Sequence, residues 1–465
     1  MGGHDNDGPI ARADLHPVRL QRGGSVTGVG GVHRVGRTLR LLALPLGTAA
    51  LAVEGLARRG AGADPDRVRL DLRRRNAART RRVLGDLKGG ALKAGQLLAT
   101  LDALFPVDPD ETWRRTLADV PERNSVVPFR QLEPVLQAEL GLEWRRRFAT
   151  FDEVAPLAAS IGQVHRATLA DGRPVAVKIQ YPDIAAALRA DMRAVSVMTR
   201  AAAAVAPGLA LPPLVAEMRT RLAEELDYLA EARAQRAFAD AYRDDPEVVV
   251  PDVLIATPRV LVTTWLDARP FVEIAATGTP GQRYRAAQLY MRFLLSGPEI
   301  AGRLHTDPHP GNFRLTDDGR LGVLDFGSTL AMPDGMPATF GRLLTVLRRG
   351  DVDEIVDGLR DEGFVRPDAD VDAVKLRDYL APFTVPAGHE TFAFSREWLR
   401  GQFSRINDPR NPEFEVALQL TMPAEHLFTH RVWLGCVGVL CQLEATVEVR
   451  PVIERWLPGF DAAAG

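Results

Sequence analysis

Lysine is almost missing from this chain. It stands only at positions 88, 93, 178 and 375, which leaves 54 of the 58 basic residues as arginine. An ammonium is a compact point charge and a guanidinium a planar fork, so a lysine retained in such a chain marks a place that needs the compact cation. Lys93 and Lys178 stand out on this ground, while Lys88 and Lys375 read as ordinary drift. Cysteine is equally scarce: Cys436 and Cys441 are the only two and share one apolar stretch, which excludes a disulfide framework and reads as two buried thiols in a reducing compartment. Basic excess is absent as well, with 58 basic against 60 acidic residues and a formal charge of -2, so nucleic acid is not an expected partner. The apolar run at 41–53 is interrupted by Pro45 and Gly47 and is shorter than the roughly 20 residues a spanning helix needs. It also begins too far from the start for a signal peptide, and Asn6 stands where a myristoylation signal requires Ser or Thr.

What is present is 46% apolar residues over 465 positions, enough for two or three domain-sized units. Residues 1–35 are Gly-, Asp- and Arg-rich without apolar periodicity and read as a disordered leader. Residues 36–145 carry long Arg/Leu/Ala segments broken at prolines and are expected to be a helical extension. Between 150 and 180 two β-rich runs flank Asp171-Gly172, the signature of a hairpin. Helical pattern resumes over 183–243, short β-rich pieces follow at 248–266, and the rest is mainly helical. The expected fold is therefore α+β and bilobal: a small sheet lobe over 146–266, then a helical lobe over 267–465.

The chemistry concentrates in three places. V-A-V-K at 175–178 puts Lys178 near the end of the strand after the hairpin, where a lysine can grip nucleotide phosphates. Taken alone, the tetrapeptide fits a surface lysine on an edge strand better. H-T-D-P-H-P-G-N at 305–312 and L-D-F-G at 324–327 place Asp307, Asn312 and Asp325 at the spacing of phosphoryl-transfer sites. There an Asp orients the attacking hydroxyl, an Asn reaches a metal, and a second Asp binds Mg²⁺. A transition-metal site on His305, Asp307 and His309 is the rival, opposed by Pro308 and Pro310, which disfavour the regular helix it would need.

With these residues in view, the chain resembles the ABC1/ADCK/UbiB atypical kinases, also called the AarF or COQ8 family. K-A-G-Q at 93–96 is similar to that family's Lys-x-Gly-Gln signature, and A-A-S-I-G-Q-V-H at 158–165 to its alanine-rich loop. Glu225-Leu226-Asp227 matches its Glu-x-Asp motif, which makes Glu231 the partner of Lys178. Leu157 stands where the alanine run often begins. The resemblance implies a protein-kinase-like fold with an N-terminal helical extension, and it implies ATP and Mg²⁺ as cofactors. Catalytic roles fall to Asp307, Lys178 and Glu231, and metal binding to Asn312 and Asp325. Nucleotide contacts are expected from Ala158, Ala159, Ser160, Ile161, Gly162 and Gln163, and from Thr264, Trp265, Leu266 and Asp267. Lys93 and Gln96, with Glu225 and Asp227, are expected to form a regulatory cover over the site. The implied role is an atypical kinase or ATPase in isoprenoid-quinone or lipid metabolism. Its acceptor would be small or lipid-related and its place the cytoplasm, peripheral at the inner face of the membrane. The apolar stretch at 436–447 is broken by Gln442 and Glu444, so it is not expected to insert stably. The alternatives are a small-molecule phosphotransferase of the aminoglycoside or choline kinase type, and a non-enzymatic nucleotide- or lipid-binding scaffold.

Overall fold

The computed structural model describes residues 126–159, 161–189, 223–350, 352–366, 369–407 and 423–461, with a few isolated positions besides. The leader, nearly all of the helical extension with Lys93 and Gln96, Ser160, and most of 190–222 lie outside the described residues.

In chain order the small lobe comprises α1 (Glu133–Leu140), β1 (Phe148–Phe151), β2 (Leu157–Ala158), β3 (Gly162–Leu169), β4 (Pro174–Gln180) and α2 (Tyr228–Ala241). After β5 (Val248–Val249), which joins another sheet, β6 (Val253–Ala256) and β7 (Val260–Thr264) complete it. The strands pair antiparallel in the order β1-β3-β4-β7-β6, with β2 beside β3. The expected hairpin is present: Gly172 has φ 90°, and its N–H donates to Leu169 O at 2.9 Å. Along β4 the apolar positions alternate, so Val175, Val177 and Ile179 are fully buried while Lys178 turns to the other face.

One boundary differs from the sequence expectation. Leu132, Val135, Leu136 and Leu140, on or beside α1, and the following Trp144 pack in the same core as Val175, Val177 and Val262. Trp144 also meets Phe148 and Phe151 edge-on. Residues 132–144, assigned from sequence to the extension, therefore belong to the sheet lobe. Helical periodicity shows that α1 buries a stripe but not which surface receives it.

The larger lobe runs through β8 (Arg269–Pro270), α3 (Phe271–Thr277), α4 (Pro280–Ile300), β9 (Arg303–His305), β10 (Phe313–Leu315), β11 (Leu321–Val323) and β12 (Thr329–Ala331). It continues with α5 (Thr339–Arg349), α6 (Val352–Asp361), α7 (Ala373–Gly388), β13 (Thr391–Ala393), α8 (Arg396–Asn407), α9 (Leu427–Leu443), β14 (Thr446–Glu448) and α10 (Val449–Trp456). Its short strands form the order β5-β11-β10-β8 and the pairs β12-β9 and β13-β14. Helix α4 begins in a reciprocal capping box between Thr279 and Gln282 and carries Tyr290 and Phe293 into a core with Phe313, Phe326 and Leu440. Helix α2 joins the two lobes, since Tyr228 and Ala232 bury in the small-lobe core and Phe238 in the large one. Cys436 and Cys441 are buried free thiols, and among the described residues no helix is long and apolar enough to cross a membrane.

Candidate active site

Asp227 begins the construction of the site. Its side chain accepts the N–H of Ala230 at 2.9 Å and caps α2, while its carbonyl accepts the N–H of Glu231 at 3.0 Å. One turn later Glu231 reaches Lys178 across the lobe, with Nζ donating to Oε1 at 2.7 Å. The same ammonium lies 3.3 Å from Asp325 Oδ2, and Tyr228 places its ring 5.1 Å beneath it. Glu231 and Lys178 expose only 2% and 16% of their side chains, so this is a buried pair. Burial opposes the charge on Lys178, but Asp325 and Glu231 outweigh it and hold the ammonium protonated far above its usual range. Burial also pushes the Glu231 carboxyl up, to about 7, against the pull of Lys178.

The opposite wall comes from the loop after β9. Asn312 Nδ2 donates to Asp307 Oδ2 at 2.9 Å and to the Asp307 carbonyl at 3.2 Å. His305, buried on its strand, holds Asp325 by its carbonyl, with Nε2 2.6 Å from that oxygen, and Asp325 Oδ1 accepts the Gly327 N–H at 2.9 Å. Asp307, Asp325, Glu225, Glu231 and Lys178 line one space, closed on the sheet side by Ile161. Above it, Ala159 N–H donates to Gly162 O at 3.0 Å, and a Cβ on Gly162 would lie 2.2 Å from Ile179 O. Only glycine lets the loop press this closely on β4.

The oxygen donors suit Mg²⁺. Asn312 spends its NH₂ on Asp307 and keeps its carbonyl oxygen for a cation, and Asp325 brings a carboxylate. Mg²⁺ takes few protein ligands, completing its shell with phosphates and water, so a cage of three or more acids or histidines is not required; among the described residues there is none. His305 and His309 do not form the alternative site: one is on a strand, and the other accepts the Gly311 N–H at 3.0 Å at the start of a turn.

Several sequence expectations fall elsewhere. Gln163 does not face the cleft. Lys178 pairs with Val164 across the strands, so Gln163 points to the opposite side, where it is fully buried. There its amide clamps Val127, accepting from N–H at 2.9 Å and donating to O at 3.3 Å, and meets His165 at 2.9 Å. At the end of β7, Thr264 Oγ1 accepts from Asp252 N–H, and just beyond it Trp265 donates to Asp267 under the Arg166 guanidinium. Only Leu266 packs toward the large lobe, against Gly322. Glu225 lines the site; Asp227 serves its own helix.

Two contacts had no local signal in the sequence. Arg431, on α9, brings Nη2 to 3.9 Å from Asp307 Oδ1. One turn on, a Cβ on Gly435 would lie 2.2 Å from Pro308 Cγ, so α9 is pressed against the loop after β9. Gly435→Ala is expected to destabilise the protein by about 1–3 kcal/mol through overpacking, outweighing the ~1 kcal/mol that alanine's helix preference offers. It should also lower turnover by displacing Asp307. Urea unfolding and steady-state rates check this; parental values in both would show that Pro308 yields freely.

The ABC1 atypical kinase-like domain matches residues 120–358. The chain belongs to this family. Among its relatives, the mitochondrial atypical kinase COQ8 of Saccharomyces cerevisiae is 31% identical over 297 residues, which are 63% of this chain and 58% of that protein. The mitochondrial atypical kinase coq-8 of Caenorhabditis elegans is 29% identical over 389 residues, 80% of this chain and 49% of that protein. The chain thus spans about half the length of such relatives. Among solved structures, Rv3197 of Mycobacterium tuberculosis in complex with erythromycin is 35% identical, with a TM-score of 0.65, covering 85% of this chain and 99% of that one. The α+β architecture described above is accordingly a kinase-like fold.

Proposed function

We propose that this chain binds Mg-ATP between its lobes and acts as an atypical kinase or ATPase, with a small or lipid-related acceptor. The observation that carries this is the placement of Lys178, 2.7 Å from Glu231 and 3.3 Å from Asp325, facing the bonded pair Asp307 and Asn312. Lys178, fixed by Glu231, is placed to hold the α- and β-phosphates. Asp307 orients the acceptor hydroxyl, or water, and takes its proton, while Asn312 and Asp325 hold the metal. Bound Mg²⁺ would neutralise charge on the transferring phosphoryl group. Lys93 and Gln96 are proposed to form, with Glu225 and Asp227, a cover over the site that restricts the acceptor to small or lipid molecules. Isoprenoid-quinone or lipid metabolism, peripheral at the inner face of the membrane and without nucleic-acid partners, is the corresponding setting. The solved erythromycin complex of the mycobacterial relative favours including a macrolide among small-molecule acceptors tried here.

The test is melting with Mg-ATP, with ATP plus chelator, and with Mg²⁺ alone, followed by release or transfer of labelled phosphate. Metal-dependent stabilisation with turnover is expected. Binding without turnover would favour a nucleotide-binding scaffold, and no stabilisation at millimolar Mg-ATP would reject the reading.

A further inference from the structure

Beside Asn312, the proposed metal ligand, and next to the segment that follows β7, strand β10 carries a cation to which the phosphoryl-transfer reading gives no task. Phe313 and Leu315 bury in the large-lobe core, so Arg314 between them turns away from it. Its cross-strand partner is Gly322. A Cβ built on Gly322 would lie 2.3 Å from Leu266 Cδ2 and 3.3 Å from Arg314 Cβ, so Leu266 and the stem of Arg314 meet over that glycine. The side chain then runs back along the strand, with Nη1 donating to Gly311 O at 2.8 Å and Phe313 O at 3.0 Å, beside Asn312. Among the described residues Arg314 has no carboxylate at salt-bridge distance.

A half-buried guanidinium held by two carbonyls on a single nitrogen keeps its other N–H groups and its flat faces available. Charge desolvated in this way is costly unless something else uses it. The phosphate end of the cleft already has its cation in Lys178. Arg314 lies instead beside Leu266, in the segment after β7 from which nucleotide contacts are expected. We propose that Arg314 forms the floor of the base subsite, its guanidinium plane stacking on the planar nucleobase. This rests on the nucleotide reading above and adds to it a residue that recognises the base. A guanidinium stacks on aromatic faces in a way an ammonium does not.

The test compares Mg-ADP with Mg-pyrophosphate, which has no base, on the full chain and on Arg314→Ser and Arg314→Lys. Arg314→Ser should weaken Mg-ADP roughly 3- to 30-fold and leave Mg-pyrophosphate unchanged. Arg314→Lys, which keeps charge and stem but has no flat face, should weaken Mg-ADP in the same direction. Unchanged pyrophosphate affinity and parental melting show that the variants are folded. Equal losses for both ligands in folded variants would make Arg314 a phosphate cation and overturn the proposal, as would unchanged Mg-ADP affinity in Arg314→Ser. Failure of the unmodified chain to bind either ligand would reject the nucleotide reading itself, and the base subsite with it.

Discussion

Lys178→Met is expected to abolish nucleotide binding and to destabilise the fold in a strongly pH-dependent way. Removing one partner of a buried ion pair costs about 3–5 kcal/mol, because the other charge stays desolvated. Glu231 can escape that cost by taking up a proton. Burial already pushes its carboxyl to about 7, against 4.5 for the free group, and Lys178 is what restrains it. A carboxyl whose pKa is raised by folding binds its proton more tightly in the folded state, so stability declines as pH rises above 4.5. Without Lys178 the folded value climbs further and the decline extends to higher pH. The variant should be close to parental stability at pH 5 and fall progressively further below it as pH rises above 7, with a clear deficit by pH 8. Lys178→Met combined with Glu231→Gln should recover most of the pH 8 loss while still failing to bind nucleotide. Urea unfolding at the two pH values measures this. An equal deficit at both would mean that Glu231 is not the group left stranded. Asp325, 37% exposed, is screened by water and contributes less.

Asp325→Asn should separate metal from structure. The amide can still accept the Gly327 N–H that Asp325 Oδ1 accepts at 2.9 Å, so the turn survives. The anionic oxygen that Mg²⁺ prefers is lost. At a thousandfold excess over its Kd, a ligand stabilises the folded state by about 4 kcal/mol. With Mg-ATP that gain should vanish in Asp325→Asn, while melting without ligand shifts little. A stabilisation by Mg-ATP that persists in the variant would take Asp325 out of the metal site.

The legible part of this site consists of residues whose role follows from neighbours in sequence. Lys178 is legible because V-A-V-K follows the Asp171-Gly172 hairpin and because lysine is so rare elsewhere. Asp307 and Asn312 are five positions apart on one turn, and their mutual hydrogen bond expresses that spacing. Glu231 required the family resemblance, since several acids precede it and only the phase of α2 selects among them. Gln163 shows the limit of such reading. The alanine-rich loop and the strand after it are continuous in sequence, and the residue at which the pleat begins decides whether a side chain meets the cleft or Val127. Register with β4 settles this by a single step.

Arg314 and Arg431 mark a different boundary. In a chain with 54 arginines neither is conspicuous, and what distinguishes each is a surface supplied from far along the chain. Leu266 and Gly322 meet beside Arg314, and α9 carries Arg431 to Asp307. The sequence by itself determined the α+β class, the hairpin, the order of the motifs that carry Lys178, Asp307, Asn312 and Asp325, and the absence of a disulfide framework. These depend on local backbone preference, short-range periodicity and composition. Only the tertiary structure decided that α1 belongs to the sheet lobe, that α2 ties both cores together, which face Gln163 occupies, and that Arg431 comes to Asp307 and Arg314 to Leu266. Those outcomes depend on packing between surfaces distant in sequence, where each partner's shape and charge acquire meaning only when the other is in place.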